Sequence, residues 1–444
     1  MEFARMSMKT PTPVTLDYCT DASETEVGSE FIIMEKVPGV QLYSRWNDDL
    51  PINDFASVTR NLVQSERAWA DARLPYIGGL YFAKDLPKNT PSFGLPGEFP
   101  RHVQWGRFVI GPSVARKFWR GGRAQLNVDR GPWKELRSQV SATIQCEIEW
   151  LRRCAKPHPR HSPLYRSERE NSPATHIEVL QRCLQVLPFL PDLPEFSTFC
   201  VWHPDLHASN IIVDETGPLT PRFFIDWQTA TVETLVDIPM PPFLSFDRGK
   251  YIKAVYGPAM PPSLPDGFSQ LPEHEQQVAL TEQRLAARSQ YYHHVTQRLN
   301  PALHAARFSS WQSRYQALLE CPSHTWEEGV APLKQVLIDI WQSWDEIAPH
   351  TPCPVSFDPT EVYINEKSIV GWAREESVKM LYREIGLGPD GFVKENKLDE
   401  VRRRNREALE RTVGEVDHPD DKAYIRRRWP FQDDAFSPTA ETCL

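Results

Sequence analysis

Three short apolar stretches between residues 199 and 232 end in polar side chains, and this pattern constrains the fold more than any other feature. We predict three strands, at Thr198–Trp202, Asn210–Val213 and Arg222–Ile225. The series His203-x-Asp205 follows the first strand, Asn210 opens the second, and Asp226 comes directly after the third. Because a packed sheet holds its strand ends rigidly, we expect these polar side chains to form one site.

Phosphoryl transfer needs residue types of this kind in such an arrangement. One carboxylate orients or deprotonates the accepting hydroxyl, while an amide oxygen and a second carboxylate hold the magnesium ions that bridge the phosphates. On this chemistry Asp205 is the general base, and Asn210 and Asp226 are magnesium ligands. The alternative is that these residues only cap turns and strand ends. His207 either contacts the substrate or caps a turn, and both interpretations stay open.

The segments HPDLHASNIIV and FIDWQ resemble the catalytic and metal-binding segments of aminoglycoside phosphotransferase-like enzymes. Similarity to a fungal subgroup, altered inheritance of mitochondria protein 9 and its phosphotransferase-domain relatives, extends over 31–46, 77–82, 107–133 and 426–433. The resemblance covers about residues 12–433. It implies that His203 belongs to the catalytic loop, which its family counterpart braces through backbone hydrogen bonds.

The fold implied by this resemblance is α+β and protein-kinase-like, with a mostly helical large lobe and a truncated small lobe. The expected divisions are a small-lobe remnant, a large lobe and a tail, at 1–36, 37–433 and 434–444. The large lobe would contain the catalytic segment 199–232. Strands are expected at 14–19 and 31–36, joined by a polar turn.

A short segment after the second of these strands is the expected nucleotide contact. In kinase-like folds the corresponding segment links the lobes, and its backbone groups hydrogen-bond the adenine edge of ATP. The resemblance assigns this role to Met34, Glu35, Lys36 and Val37. The alternative is an ordinary hairpin that ends in the Pro38-Gly39 turn.

The expected function is ATP- and Mg²⁺-dependent transfer of phosphate to a hydroxyl of an unidentified small molecule. Neither GxGxxG nor GxxxxGK[ST] is present, and Lys9 and Lys36 lack the strand context of the family's phosphate-binding lysine. The alternative is therefore a catalytically inactive, pseudokinase-like binding protein, or a truncated gene model of an ordinary family member.

Composition and residue spacing argue against several other classes of protein. The formal charge of −9 argues against a nucleic-acid binder, and the eight scattered cysteines contain no CxxC pair. No apolar run approaches the length of a membrane helix. The resemblance implies a mitochondrial location, although the first residues, with only Arg5 and Lys9 as basic side chains, make a poor presequence. A cytoplasmic location is the alternative.

Helices with amphipathic spacing are expected over much of the remaining chain, at Asn53–Arg73, Pro132–Ala155, His176–Leu187, Glu273–Leu299, Trp326–Ile347, Gly371–Ile385 and Lys394–Val413. Asn53 or Asp54 is placed to cap the first of them, and Pro132 to open the second. A basic cluster lies between Arg116 and Trp133. It either binds an anionic substrate or a nucleic acid, or forms a solvated face with a few ion pairs.

Overall fold

The computed structural model describes residues 1–47, 50–95, 107–158, 167–253, 262–372, 385–387, 393, 397–414 and 419–429. Helices and sheets are mixed, which confirms the expected α+β class. The chain divides into two compact units, one made of 1–156 and 172–357 and the other of 157–171 and 358–444. Every residue of the candidate site belongs to the first unit.

The strands are short and all belong to the first unit of the described chain. They are β1 Thr15–Cys19, β2 Phe31–Met34, β3 Val40–Gln41, β4 Gly78–Phe82, β5 Phe93–Gly94, β6 Phe108–Gly111, β7 Phe199–Val201, β8 Ile211–Val213, β9 Pro221–Phe224 and β10 Thr231–Thr234. The helices of this unit are α1 Glu2–Ser7, α2 Leu42–Arg45, α3 Ile52–Asp71, α4 Leu136–Arg153, α5 Pro173–Val186, α6 Glu273–Leu299, α7 Pro301–Arg307, α8 Gln312–Glu320, α9 Thr325–Glu328, α10 Ala331–Gln342 and α11 Trp344–Ile347.

Two antiparallel sheets bring the site together. Their strand orders are β5-β6-β4-β10-β7 and β3-β8-β9, while β1 and β2 form a separate hairpin. Strand β7 pairs with β10, and β8 pairs with β9. Strands β7, β8 and β9 confirm the three predicted around the polar series, and β1 and β2 confirm those expected at 14–19 and 31–36.

Helix α3 confirms the helix predicted over Asn53–Arg73, and its apolar face is buried, with Trp69 fully enclosed. The predicted side-chain cap is wrong. Pro51 precedes the first helical residue, so Asn53 and Asp54 lie inside the first turn and neither caps it.

The helix predicted from Pro132 begins later, at Leu136, where α4 starts. Trp133 exchanges two backbone hydrogen bonds with Ile77, at N···O distances of 2.8 and 2.9 Å. These bonds hold the chain extended up to that point, because a residue paired across strands cannot also open a helix. From Leu136 to Arg153 the predicted helical spacing is confirmed.

The helices predicted over Glu273–Leu299 and His176–Leu187 are confirmed as α6 and α5. One continuous helix over Trp326–Ile347 is wrong, since the segment contains α9, α10 and α11. Gly329, with φ of +89°, ends α9, and Ser343 separates α10 from α11. Left-handed backbone of this kind cannot continue a right-handed helix.

The second unit contains α12 Pro359–Trp372, α13 Leu398–Gly414 and α14 Pro419–Arg428. Helix α13 confirms the prediction over Lys394–Val413, whereas most of the predicted Gly371–Ile385 helix lies outside the described residues. Trp429 is buried and donates its indole N–H to Oδ1 of Asn405 at 2.7 Å. Across the described chain, no helix combines the length and the apolar character needed to span a bilayer.

Candidate functional site

The site lies on two loops that the sheets hold side by side. The first loop, residues 202–210, connects β7 to β8, and the second, residues 225–230, connects β9 to β10. Val232 of β10 lies opposite Val201 of β7, and Phe224 of β9 lies opposite Ile211 of β8. Both ends of the first loop are therefore paired with strands that flank the second loop.

His203 ties the two loops to each other. Its Nδ1 accepts the backbone N–H of Asp205 at 3.2 Å, so its Nε2 carries the proton and donates to the carbonyl of Ile225 at 2.7 Å. The ring is 1% exposed and packs edge-on against Trp227 at a centroid distance of 4.7 Å. Burial lowers the pKa of His203, although the carboxylates of Asp205 and Asp226 oppose this effect. The imidazole is therefore a neutral brace.

Asp205 stands at the exposed side of the first loop, with its side chain 55% exposed. Its Oδ1 lies 2.8 Å from Nε2 of His207, and its Oδ2 lies 3.3 Å from the amide nitrogen of Asn210. The same amide donates to the backbone carbonyl of Asp205 at 2.8 Å. Asp205 is thus oriented from two sides while it remains accessible to a small molecule.

Asn210 is 8% exposed, and the hydrogen bonds that fix its side chain come from its amide nitrogen. Its carboxamide oxygen is consequently the atom with which it would coordinate a cation. Its backbone carbonyl accepts the N–H of Ile225 at 3.0 Å, which is a second link between the loops. Asp226, the other predicted ligand, follows Ile225 directly.

The second loop is strained at Asp226, where φ is +61°, and again at Thr229, where φ is +63°. Residues other than glycine avoid this region, and such strain persists mainly where surrounding structure or function demands it. Two such residues lie within four positions of this loop, a pattern that favours a functional role for it. The buried Trp227 stabilises it by donating its indole N–H to the carbonyl of Phe224 at 3.1 Å.

The donor set at these loops fits magnesium better than a softer metal. Asn210 and Asp226 offer hard oxygen atoms, and Mg²⁺ at nucleotide sites takes one or two carboxylates together with phosphate oxygens. The described residues contain no cluster of three or more His, Cys, Asp or Glu side chains that could hold a metal ion by themselves. A magnesium ion held by Asn210 and Asp226 would take its remaining ligands from water and from the phosphate groups of a bound nucleotide.

The expected nucleotide contact consists of Met34, Glu35, Lys36 and Val37. It begins at the last residue of β2 and so adjoins the hairpin formed by β1 and β2. The N–H of Glu35 is bonded to the carbonyl of Val14 at 2.9 Å. Gly39 then passes the backbone of Val213 so closely that a Cβ atom would lie 2.3 Å from the Val213 oxygen. Val40 pairs directly with Val213 in the β3–β8 ladder. The segment is thus joined to the strand that follows Asn210.

A cavity of about 320 Å³ opens beside the first loop and is lined by His203 and Pro204. The basic residues Arg116, Lys117 and Arg120 also line it. The structure therefore brings part of the predicted basic cluster next to the residue that precedes Asp205. The volume is near the lower end of the range for small-molecule sites.

Three carboxyl groups, those of Glu233, Asp237 and Glu320, also line the cavity around Lys117. The Lys117 ammonium lies 3.0 Å from Glu320 and 4.0 Å from Asp237. Burial raises the pKa of Asp237 to about 8 and also raises that of Glu233. Although burial opposes ionisation of Glu320 as well, the charge of Lys117 holds the pKa of Glu320 below its ordinary value.

The rest of the basic cluster has structural contacts. Arg123 is 1% exposed and bonds the equally buried Glu147, with an Nη2–Oε2 distance of 2.6 Å. Arg130 donates to backbone carbonyls, among them those of Phe118 at 3.3 Å and Arg123 at 2.7 Å. The cluster therefore contains the structural ion pair that was one of its two predicted interpretations, and it divides into a buried structural part and a part that lines the cavity.

Sequence reasoning missed Glu233 and Glu320 as neighbours of Lys117. Glu233 had a signal, because a carboxylate in the short strand segment TVET, directly after the polar series, must find a partner if that strand is buried. Glu320 ends helix α8, about two hundred residues from Lys117 along the chain, and gave no signal.

Comparison with known proteins gives fungal relatives. A subtelomeric hrmA-associated cluster protein of Aspergillus fumigatus is 27% identical over 468 residues, covering 98% of this chain and 88% of the relative. Altered inheritance of mitochondria protein 9 of Zygosaccharomyces rouxii is 27% identical over 274 residues, and that of Komagataella phaffii is 25% identical over 268. No protein-family model and no solved structure matches the chain.

The chain therefore has homologues among the fungal mitochondrial proteins of that name. Their alignments cover 56% of this chain and only 43% and 42% of those two relatives. Several yeast relatives carry the word mitochondrial in their names, which supports the expected mitochondrial location.

Proposed function

We propose that the protein is a phosphotransferase that moves a phosphate group from ATP, with Mg²⁺, to a hydroxyl of a small molecule. The observation that supports this most is the brace made by His203, which binds the Asp205 backbone on one side and the Ile225 carbonyl on the other. It fixes the general base and the proposed metal ligand Asp226 relative to each other. Phosphoryl transfer depends on such positioning more than on covalent chemistry.

Each residue has a separate task in this proposal. Asp205 accepts a hydrogen bond from the acceptor hydroxyl and orients its oxygen, while His207 and Asn210 restrict the rotation of the Asp205 carboxylate. Asn210 and Asp226 would hold the magnesium ions, which supply charge neutralisation for the phosphate groups.

The nucleotide base would lie against the segment that ends β2. Because the N–H of Glu35 already binds Val14, the adenine edge would be read by the backbone of Lys36 and Val37. The side chains of Met34 and Lys36 are exposed beside this segment. The exocyclic amine of adenine needs an acceptor, and its ring nitrogen needs a donor, so backbone groups suffice.

The test is calorimetry of ATP binding to the purified chain, with and without Mg²⁺, followed by ADP release in the presence of candidate acceptors. We expect magnesium-dependent binding that is lost in Asp226→Ala, and turnover that falls by a factor of about 100 or more in Asp205→Ala. Asp247→Ala, an exposed carboxylate outside both loops, is the matched control. Equal turnover in Asp205→Ala and wild type would refute the proposal.

A second candidate is a pseudokinase-like protein that binds a ligand without transferring phosphate. It is favoured by the internal hydrogen bonds of Asp205, whose Oδ1 meets His207 and whose Oδ2 meets the Asn210 amide. These bonds compete with an acceptor hydroxyl for the same oxygens. Ligand binding that survives both Asp205→Ala and Asp226→Ala, with no measurable turnover, would select this candidate.

A further inference from the structure

The cavity beside the first loop is lined by three basic side chains, those of Arg116, Lys117 and Arg120. The acids that line it with them are Glu233, Asp237 and Glu320. Burial raises the pKa of Asp237 and of Glu233, so it disfavours negative charge on two of the three acids. The basic side chains therefore face acids whose negative charge burial weakens.

The three cations differ in what already binds them. Lys117 is held between Glu320 and Asp237 and also donates to the carbonyl of Leu319 at 3.2 Å. Its charge therefore balances the acids of the cavity. Burial favours the neutral amine, but the surrounding carboxylates outweigh this and raise the pKa of Lys117, so it stays charged.

Arg120 has donors beyond those that the fold uses. Its Nη2 donates to the Ser323 carbonyl at 3.1 Å and to Nδ1 of His324 at 3.0 Å. Its buried Nε has no hydrogen-bond partner among the residues that the structure describes. A buried guanidinium N–H without a partner carries a desolvation penalty, and the fold nevertheless keeps the charge of Arg120 in the wall of the cavity. Arg116, which is exposed, adds a second charge at the same cavity.

We propose that this cavity is the acceptor site, and that the acceptor is a small polyhydroxy compound with a carboxylate or phosphate group held by Arg120 and Arg116. This inference rests on the proposed function, because the cavity is lined by His203 and Pro204, the two residues that precede Asp205 in the chain. The acids deepen the argument for hydroxyl groups. A carboxyl group such as that of Asp237 accepts a hydrogen bond from a hydroxyl, and burial, which raises the pKa of Asp237, favours the protonated form that also donates one.

The test measures binding by calorimetry without nucleotide, so that it does not depend on turnover. One series compares D-gluconate with its neutral and cationic counterparts, D-glucitol and D-glucamine, and another compares glycerol 3-phosphate with glycerol. We expect the anion to bind most tightly in at least one series, and which series shows this distinguishes a carboxylate from a phosphate. Absence of a preference for the anion in both series overturns the proposal.

Variants assign the effect to the cavity. Arg120→Gln should weaken binding of the preferred anion about tenfold, and Arg116→Gln about threefold, because an exposed charge contributes less. Arg73→Gln, an exposed arginine away from the cavity lining, makes the same charge change and should leave the affinity unchanged. Among the residues that the structure describes, the side chain of Arg116 has no hydrogen bond or ion pair to lose. An unaltered affinity in Arg116→Gln, together with an unaltered affinity in a folded Arg120→Gln, therefore refutes the site. Anion binding without any ATP binding would refute the proposed function alone.

Discussion

The strained backbone of the second loop predicts an inverted order of stability for glycine and alanine. At ordinary positions glycine is less stable than alanine by about 0.5–1 kcal/mol, because the unfolded chain gains freedom. At Asp226, with φ of +61°, an alanine would pay about 1–2 kcal/mol for the left-handed conformation, whereas a glycine would not. Asp226→Gly should therefore be more stable than Asp226→Ala by about 1 kcal/mol.

Thr229 supplies the control, because its φ of +63° is nearly the same and its side chain is not a proposed ligand. The same inversion, about 1 kcal/mol in favour of glycine, is expected between Thr229→Gly and Thr229→Ala. Only the two Asp226 variants should lose magnesium-dependent ATP binding. The comparison thereby separates the effect of backbone strain on stability from the effect of losing a magnesium ligand on ATP binding.

The assay is thermal unfolding of the four variants, followed by ATP calorimetry on each. A difference of about 1 kcal/mol corresponds to a shift in Tm of about 1–2 °C for a unit of this size. An alanine variant as stable as its glycine partner at both positions would refute the strain argument. Equal magnesium-dependent binding in Asp226→Gly and Thr229→Gly would refute the role of Asp226 as a ligand.

Three further predictions concern other parts of the first unit. His207→Gln should keep more ATP turnover than His207→Ala, since the amide can still donate to Asp205; equal losses would contradict this. Burial raises the pKa of Glu66 to about 7, so stability should fall by about 3 kcal/mol as the pH rises from about 4.5 to 7; Glu66→Gln should remove this dependence in unfolding titrations. Gly39→Ala should lower the free energy of unfolding by at least about 2 kcal/mol, and with it the Tm, because its Cβ would meet the Val213 oxygen. An unchanged Tm would contradict this contact.

The elements of the fold that sequence predicted are those with a local cause. Helix α6 and strands β7 to β9 follow from apolar spacing within a few residues, which local sterics and burial enforce. The polar series was likewise visible, since Asp205 and Asn210 lie on one loop. The kinase-like fold stays a prediction, and so do the site roles of the predicted residues.

What sequence could not supply depends on contacts between distant segments. Helix α4 begins later than predicted because Trp133 pairs with Ile77, and the local sequence pattern gives no sign of this contact. The predicted helix over Trp326–Ile347 is broken where Gly329 adopts a positive φ. Glycine permits this conformation but does not require it, so its presence in the sequence does not reveal the break. The basic cluster divided into two parts because Lys117 meets Glu320 and Arg123 meets Glu147, pairings that only the folded chain reveals.

The brace made by His203 bears on how kinetic data from this protein should be interpreted. The Nδ1 atom accepts the N–H of Asp205, and the Nε2–H donates to the carbonyl of Ile225. The ring can therefore take up a second proton only if the hydrogen bond at Nδ1 breaks. Because burial also lowers its pKa, the imidazole keeps one proton throughout the physiological range. A limb of a bell-shaped rate profile in this range therefore does not report on His203.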